Sequence, residues 1–168
     1  MSIQLTPHPD HPSRGVARVE VTADIRRGSS VLTYRASGEA PLIPPPAAPG
    51  RTDGLWQHTC FELFVKPVGG DGYFEFNFSP STQWAAYQFE GYRAGMRDLQ
   101  LAVPVIEPVE DGIRVRIDLA GLPEGEWRVA ITAVIEAADG SKSYWSAAHG
   151  AGKADFHADA GFVIEVPA

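Results

Sequence analysis

The stretch Tyr73-Phe74-Glu75-Phe76-Asn77-Phe78-Ser79 decides the fold class. Successive side chains of a β-strand point to opposite faces, so Phe74, Phe76 and Phe78 share one side while Tyr73, Glu75, Asn77 and Ser79 share the other. A row of phenylalanines at period two predicts a strand with one face in a core.

The same alternation continues outward from this stretch. It marks candidate strands at Val16 to Asp24, Ser30 to Ala36, His58 to Lys66, Tyr73 to Ser79, Trp84 to Glu90, Leu101 to Glu107, Ile113 to Leu119, Trp127 to Glu136, Ser143 to Ser146 and Phe162 to Val166. No long segment carries a helical apolar stripe. Gly69-Gly70-Asp71-Gly72, Glu110-Asp111-Gly112 and Asp139-Gly140-Ser141 supply the positive φ that hairpin turns require. So many strands exceed one comfortable sheet. The expected fold is all-β, a two-sheet antiparallel β-sandwich forming a single domain over residues 1–168. Pro41 to Gly54 holds five prolines and two glycines and reads as a long loop within that domain, unable to form helix or ladder.

Composition narrows the function. A chain of 168 residues with 44% hydrophobic and 21% charged residues has enough apolar material for its own core. The net charge of −7 disfavours nucleic acid and anionic membrane as partners. The apolar runs are strand-sized, too short to span a bilayer as a helix. Met1-Ser2-Ile3-Gln4-Leu5 has neither a basic nor an apolar leader region, so a cytoplasmic location is expected. Cys60 is the single cysteine, which rules out an internal disulfide and a multi-cysteine zinc site.

Alternation also assigns faces. In the strand from Trp84, the large apolar set is Tyr87 and Phe89, which leaves Trp84, Ala86 and Gln88 on the wetter side. Ile113, Val115, Ile117 and Leu119 alternate with Arg114, Arg116 and Asp118. If these strands and the Tyr73 strand are neighbours, one sheet face presents Glu75, Asn77, Trp84 and Arg114 together. Such a face suits a pyranose, whose C–H surface stacks on an indole and whose hydroxyls bond amides, carboxylates and guanidinium groups. The competing reading is a solvated face of cross-strand Glu–Arg pairs.

Individual residues sharpen the expectation. Trp56 ends the Pro/Gly loop at a strand start, and Trp145 stands beside Tyr144; both are candidate stacking platforms, as Trp84 is, whereas Trp127 opens an apolar strand and reads as structural. Glu62 lies between Phe61 and Leu63, where an unpaired carboxylate carries a desolvation cost, so it needs a partner: Arg114, Arg116 or a ligand hydroxyl. Arg93 is a loop cation after the Trp84 strand. His149, Asp155 and His157 fall in the segment HGAGKADFH, a polar loop rather than a core strand. No third ligand shares the spacing of the two histidines, so no metal is expected. His58, Cys60 and Glu62 alternate along one strand, about 6 to 7 Å between neighbours, too far for a nucleophile–base hydrogen bond. A glycosidase pair of Glu62 and Glu75 is conceivable if the two face each other. No catalytic residue is expected.

The segments LWQHTCFELFVKP, YFEFNFSPSTQWAAYQFEGYR and AHGAGKADFH together resemble a bacterial group of DOMON-like proteins related to family 9 carbohydrate-binding modules. The likeness runs from about Leu55 onward and includes a Trp followed by an acidic residue in an apolar strand, matched by Trp56 and Glu62. It implies a jelly-roll β-sandwich that binds a small-molecule or oligosaccharide ligand and catalyses nothing. His58-Thr59 stands where many carbohydrate-binding relatives carry an acid, leaving a calcium or sugar contact by that acid without its residue. DOMON relatives bind sugars or haem. The alternatives are therefore a haem module, with Met96 and His149 or His157 as axial ligands, and a protein-interaction domain reading Pro44-Pro45-Pro46. No cofactor is expected on the leading reading.

Overall fold

The structure is a computed structural model describing residues 1–168. The fold is all-β, with 49% of residues in strands and 4% in helix, arranged as one strongly curled sheet resembling half a barrel. Its strands are β1 (Ser2–Pro7), β2 (Val16–Asp24), β3 (Ser29–Gly38), β4 (Gly50–Arg51), β5 (Cys60–Pro67), β6 (Tyr73–Phe78), β7 (Gln83–Phe89), β8 (Arg97–Asp98), β9 (Val105–Val109), β10 (Gly112–Asp118), β11 (Trp127–Glu136), β12 (Lys142–Ser146) and β13 (Ile164–Val166). The hydrogen-bonded order is β4-β7-β6-β5-β11-β12-β1-β2-β3-β10-β9, with β13 on β11 and β8 on β7. Every pairing is antiparallel except β4 with β7.

β1 joins the halves. Its first residues pair with β2 (Leu5 opposite Val19), and its last with β12 (Thr6 opposite Ser146). The sheet curls so that the two halves face each other across one core. Val19, Val21, Leu32 and Tyr34 from one side meet Leu63, Phe76, Phe78 and Ile131 from the other. The Tyr34 hydroxyl crosses that core to donate to the Glu62 carbonyl at 3.0 Å, so its polar tip is satisfied. Phe74, Phe76 and Phe78 lie in this core, where period-two alternation placed them.

Several expectations change. β1 was not foreseen, because Ser2–Pro7 buries only Leu5 and shows no apolar row. The strand expected at Leu101 to Glu107 is shifted to Val105–Val109. The loop after Pro41 does contribute a ladder: Gly50 and Arg51 pair with Gln83 and Trp84. Gly112 is needed where β10 meets β3, since a Cβ there would stand 1.8 Å from the Tyr34 carbonyl oxygen.

The largest correction concerns faces. Phe78 pairs with Trp84 and Phe76 with Ala86, so Trp84 and Ala86 point into the main core and Tyr87 and Phe89 point away from it. β7 is apolar on both sides, and periodicity within one strand cannot say which side faces which layer; register against β6 decides. β10 also lies in the other half, between β3 and β9, so Arg114 and Arg116 face solvent far from β6.

Candidate functional site

The outer face of β5, β6, β7 and β11 carries two adjacent cross-strand rows. One runs Thr132, Glu62, Asn77, Ala85; the next runs Ala130, Phe64, Glu75, Tyr87. Polar side chains face outward here because the inward register is filled by Phe76, Leu63 and Ile131. Phe64 and Tyr87 of this floor join Tyr73, Phe89 and Phe162 in a second, smaller apolar cluster on the same outer face.

Three loops build walls around a cavity of about 710 Å³ above the floor. The short 3-10 turn Leu55–Gln57 brings Trp56 and Gln57, the bend after β7 brings Arg93 and Met96, and the chain before β13 brings Asp155, Phe156 and His157. Arg51 moors the first loop: its guanidinium stacks 4.5 Å over the Trp84 ring and donates to the carbonyls of Ala86 at 2.8 Å and Leu99 at 2.5 Å.

Glu62 and Glu75 form the polar floor. Glu62 is 3% exposed and accepts from the Thr132 hydroxyl at 2.9 Å; Glu75 is 7% exposed and accepts from the Asn77 amide at 2.9 Å. Burial, reinforced by the neighbouring Glu75 charge and opposed by the Thr132 bond, pushes the Glu62 carboxyl up to about 8. Burial also raises Glu75, against the Asn77 bond and the Arg93 charge.

One wall is a hydrogen-bonded chain. The Arg93 N–H donates to the Tyr73 hydroxyl at 3.1 Å, and that hydroxyl lies 2.7 Å from His157 Nδ1. The other His157 nitrogen is 3.7 Å from Glu75. Burial and the Arg93 charge lower His157 to about 4, so its ring is neutral near pH 7. With the Tyr73 hydroxyl donating to Nδ1, the ring proton sits on Nε2, towards Glu75. Asp155 accepts from Arg93 at 2.7 Å, from the His157 backbone N–H at 3.0 Å and from the Tyr92 hydroxyl. Burial works against its ionisation, but these bonds hold its carboxyl below the ordinary value. Arg93 adopts φ 52°, a left-handed conformation uncommon for a side-chain-bearing residue, fixed here by bonds from both its backbone and its guanidinium.

Of the residues singled out from sequence, the cavity brings together Trp56, Glu62, Glu75, Arg93, Asp155 and His157. Asn77 sits just beneath, bonded to Glu75, and its Oδ1 has no donor. Four lie elsewhere. Trp84 (4% exposed) and Trp145 (3% exposed) are in the main core and offer no open indole face, the Trp145 N–H bonding Ser143 at 2.9 Å. Arg114 lies on the solvent side of β10, 3.5 Å from the Thr33 hydroxyl, and is no partner for Glu62. His149 is at the end of β1, within 2.8 Å of the Thr6 carbonyl and beside His8. Trp127 is core, its N–H bonded to the Pro123 carbonyl.

Sequence reasoning missed Asp53, Gln57, Phe64, Tyr87, Phe89, Tyr144 and Phe156 as cavity residues. The signal for Tyr87 and Phe89 was present, since both were picked out as one face, but that face was assigned to the core. Asp53 accepts from the Tyr87 hydroxyl at 2.5 Å, a contact between a loop and a strand that no local pattern encodes.

Of the axial candidates for the haem alternative, Met96 and His157 both line the cavity and His149 does not. Both His157 nitrogens face protein groups, Tyr73 and Glu75, while His149 stands away from the cavity on Thr6. The His58, Cys60, Glu62 row is no catalytic set, since His58 pairs with Glu136 at 2.8 Å on the surface and Cys60 is fully buried.

No protein-family model matches the chain, and no curated protein sequence matches it. Among solved structures, the chain is similar to a Bacteroides uniformis protein described as a candidate carbohydrate-binding protein, at 18% identity over 95% of this chain and 84% of that one, with a TM-score of 0.66. This likeness shows that the two share a fold. A family 9 carbohydrate-binding module from Caldicellulosiruptor kristjanssonii aligns at 11% identity in its glucose complex (TM-score 0.45, 80% of this chain, 69% of that one). Its cellotriose complex aligns at 11% identity with a TM-score of 0.49, over 89% of this chain and 75% of that one.

Proposed function

We propose that residues 1–168 form a single jelly-roll β-sandwich domain, of the DOMON-like and family 9 module kind, that binds a saccharide without transforming it. The observation that carries this reading is the cavity, in which a rim indole, Trp56 at 52% exposure, overlooks a floor of buried carboxylates. A volume of about 710 Å³ falls within the usual range for small-ligand sites. Phe64, Tyr87, Phe89 and Phe156 offer apolar walls for the C–H face of a sugar ring, while Glu62, Glu75, Gln57 and Arg93 offer groups to its hydroxyls. The candidate-carbohydrate-binding description of the Bacteroides uniformis protein points the same way.

A binding role suits the carboxylates better than hydrolysis. A glycosidase needs two carboxyl groups flanking the scissile bond, with environments that push their pKa values apart. Here both stand on one floor, on adjacent strands, and burial raises both.

The test is tryptophan emission and calorimetry against a panel of mono- and oligosaccharides. Saturable binding of one of them, weakened about tenfold or more by Trp56→Ala with the melting temperature kept, is the expected result. Silence across the panel, or release of nitrophenol from nitrophenyl glycosides, overturns the proposal.

A further inference from the structure

The floor of the cavity is rich in acceptors and short of donors. Glu62 receives one hydrogen bond, to Oε2 from Thr132, and its other oxygen has no protein donor. Asn77 Oδ1, fully buried beside it, has none. Glu75 Oε2 has only the His157 ring, 3.7 Å away. Of these, the Glu62 and Glu75 oxygens line the cavity, and an unmet buried acceptor there carries a desolvation cost that a ligand's donors would relieve.

Charge is equally one-sided. Asp53, Glu62, Glu75 and Asp155 line the cavity, and Arg93 is the single Arg or Lys among the lining residues. Arg93 is already committed to Asp155 at 2.7 Å, and His157 is neutral near pH 7. No Arg or Lys ion pair reaches Asp53, Glu62 or Glu75, and Arg93 acts on Glu75 only from a distance; near pH 7 Glu62 holds its own proton, which a bound cation would displace. Aromatic rings stand around them, and ring faces attract cations as well as C–H groups.

Neutral hydroxyls would satisfy the lone pairs but leave two neighbouring buried carboxyls competing for one charge. An ammonium supplies three donors and the missing positive charge together. We propose that the saccharide bound here is an amino sugar whose protonated amine sits on Glu62 and Glu75 while its ring packs against the aromatic walls. This rests on the saccharide reading and adds the substituent that selects among saccharides.

Matched pairs on the unaltered protein give the test: glucosamine against glucose and N-acetylglucosamine, galactosamine against galactose, and glucosamine oligomers against N-acetylglucosamine oligomers, by calorimetry at pH 7. The acetylated sugar keeps the ring and the nitrogen but has no charge. The expected result is that at least one free amine binds about tenfold or more tightly than its neutral counterparts. Glu75→Gln, which keeps shape and removes a charge, should bring the ratio of amine to neutral-sugar affinity to within about twofold of one, whatever it does to the two affinities separately. Equal affinity for amine and neutral sugars overturns the inference and leaves the saccharide reading standing. Failure of every amine and every neutral sugar to bind overturns both.

Discussion

Glu62 is the residue at which sequence, fold and chemistry meet. In the unfolded chain its carboxyl titrates near about 4.3, and in the folded protein it is pushed up to about 8, first by burial and then by Glu75. A raised carboxyl means that the folded state holds a proton the unfolded state has lost, so this contribution to stability is fully present below the unfolded value and lost as pH rises through about 8. The titratable and charged groups around it are Glu75 on β6, Cys60 on its own strand and Tyr34 on β3, with Arg93 and His157 reaching it through Glu75. His157, lowered to about 4, works with the opposite sign, but only up to its ordinary value of 6.5. Between about pH 6.5 and 8.5 the melting temperature should therefore fall, and Glu62→Gln should flatten the fall and melt higher at the alkaline end. Calorimetric scans across that window check this, and parallel profiles for the two proteins would refute it. That Glu62 needs a partner was legible from Phe61 and Leu63 on either side of it. The identity of that partner was not, because Thr132 is 70 residues away and becomes a neighbour only once β5 and β11 are in register.

At the scale of elements, the strands were readable and their sides were not. Phe74, Phe76 and Phe78 against Glu75 and Asn77 leave no choice of face, and the core took the phenylalanines. β7 offers Trp84 on one side and Tyr87 with Phe89 on the other, two apolar faces for two apolar layers, so local pattern is silent and pairing with β6 decides. The segment before β13 poses the reverse case. It has no periodicity, yet its place over the floor follows from specific bonds: Asp155 to Arg93 and Tyr92, and His157 to Tyr73. These bonds are partly solvent-exposed, so they set local order more than global stability. Asp155→Ala should accordingly raise amide hydrogen exchange across residues 150–158 about tenfold or more, leave exchange in β11 unchanged and lower the melting temperature little. Exchange that rises equally in β11 would show that the segment opens only with the whole protein.

For the whole molecule, the question is whether the two halves of the curled sheet behave as one. The hydrogen-bonded ladder passes through β1, and the core takes Leu5 from that shared strand, Leu32 from one half and Phe76 from the other. Every tryptophan, at positions 56, 84, 127 and 145, lies between β4 and the end of β12, in the half that carries the cavity. Three of them, Trp84, Trp127 and Trp145, pack in the shared core, so tryptophan emission reports on that half and on its seam with the other, whereas far-ultraviolet dichroism reports on the strands of both. Leu32 is fully buried on β3, in the half without tryptophan, and Leu32→Ala removes apolar surface and leaves a cavity costing about 2–5 kcal/mol. If the shared core couples the halves, that loss must appear in the tryptophan-monitored denaturation midpoint, at the same denaturant concentration as in dichroism and with the slope unchanged. A tryptophan transition that stays in place while the dichroism splits into two steps would mean that the cavity-bearing half folds independently, and that the contact across the core from Tyr34 to Glu62 does not hold the site's floor in position.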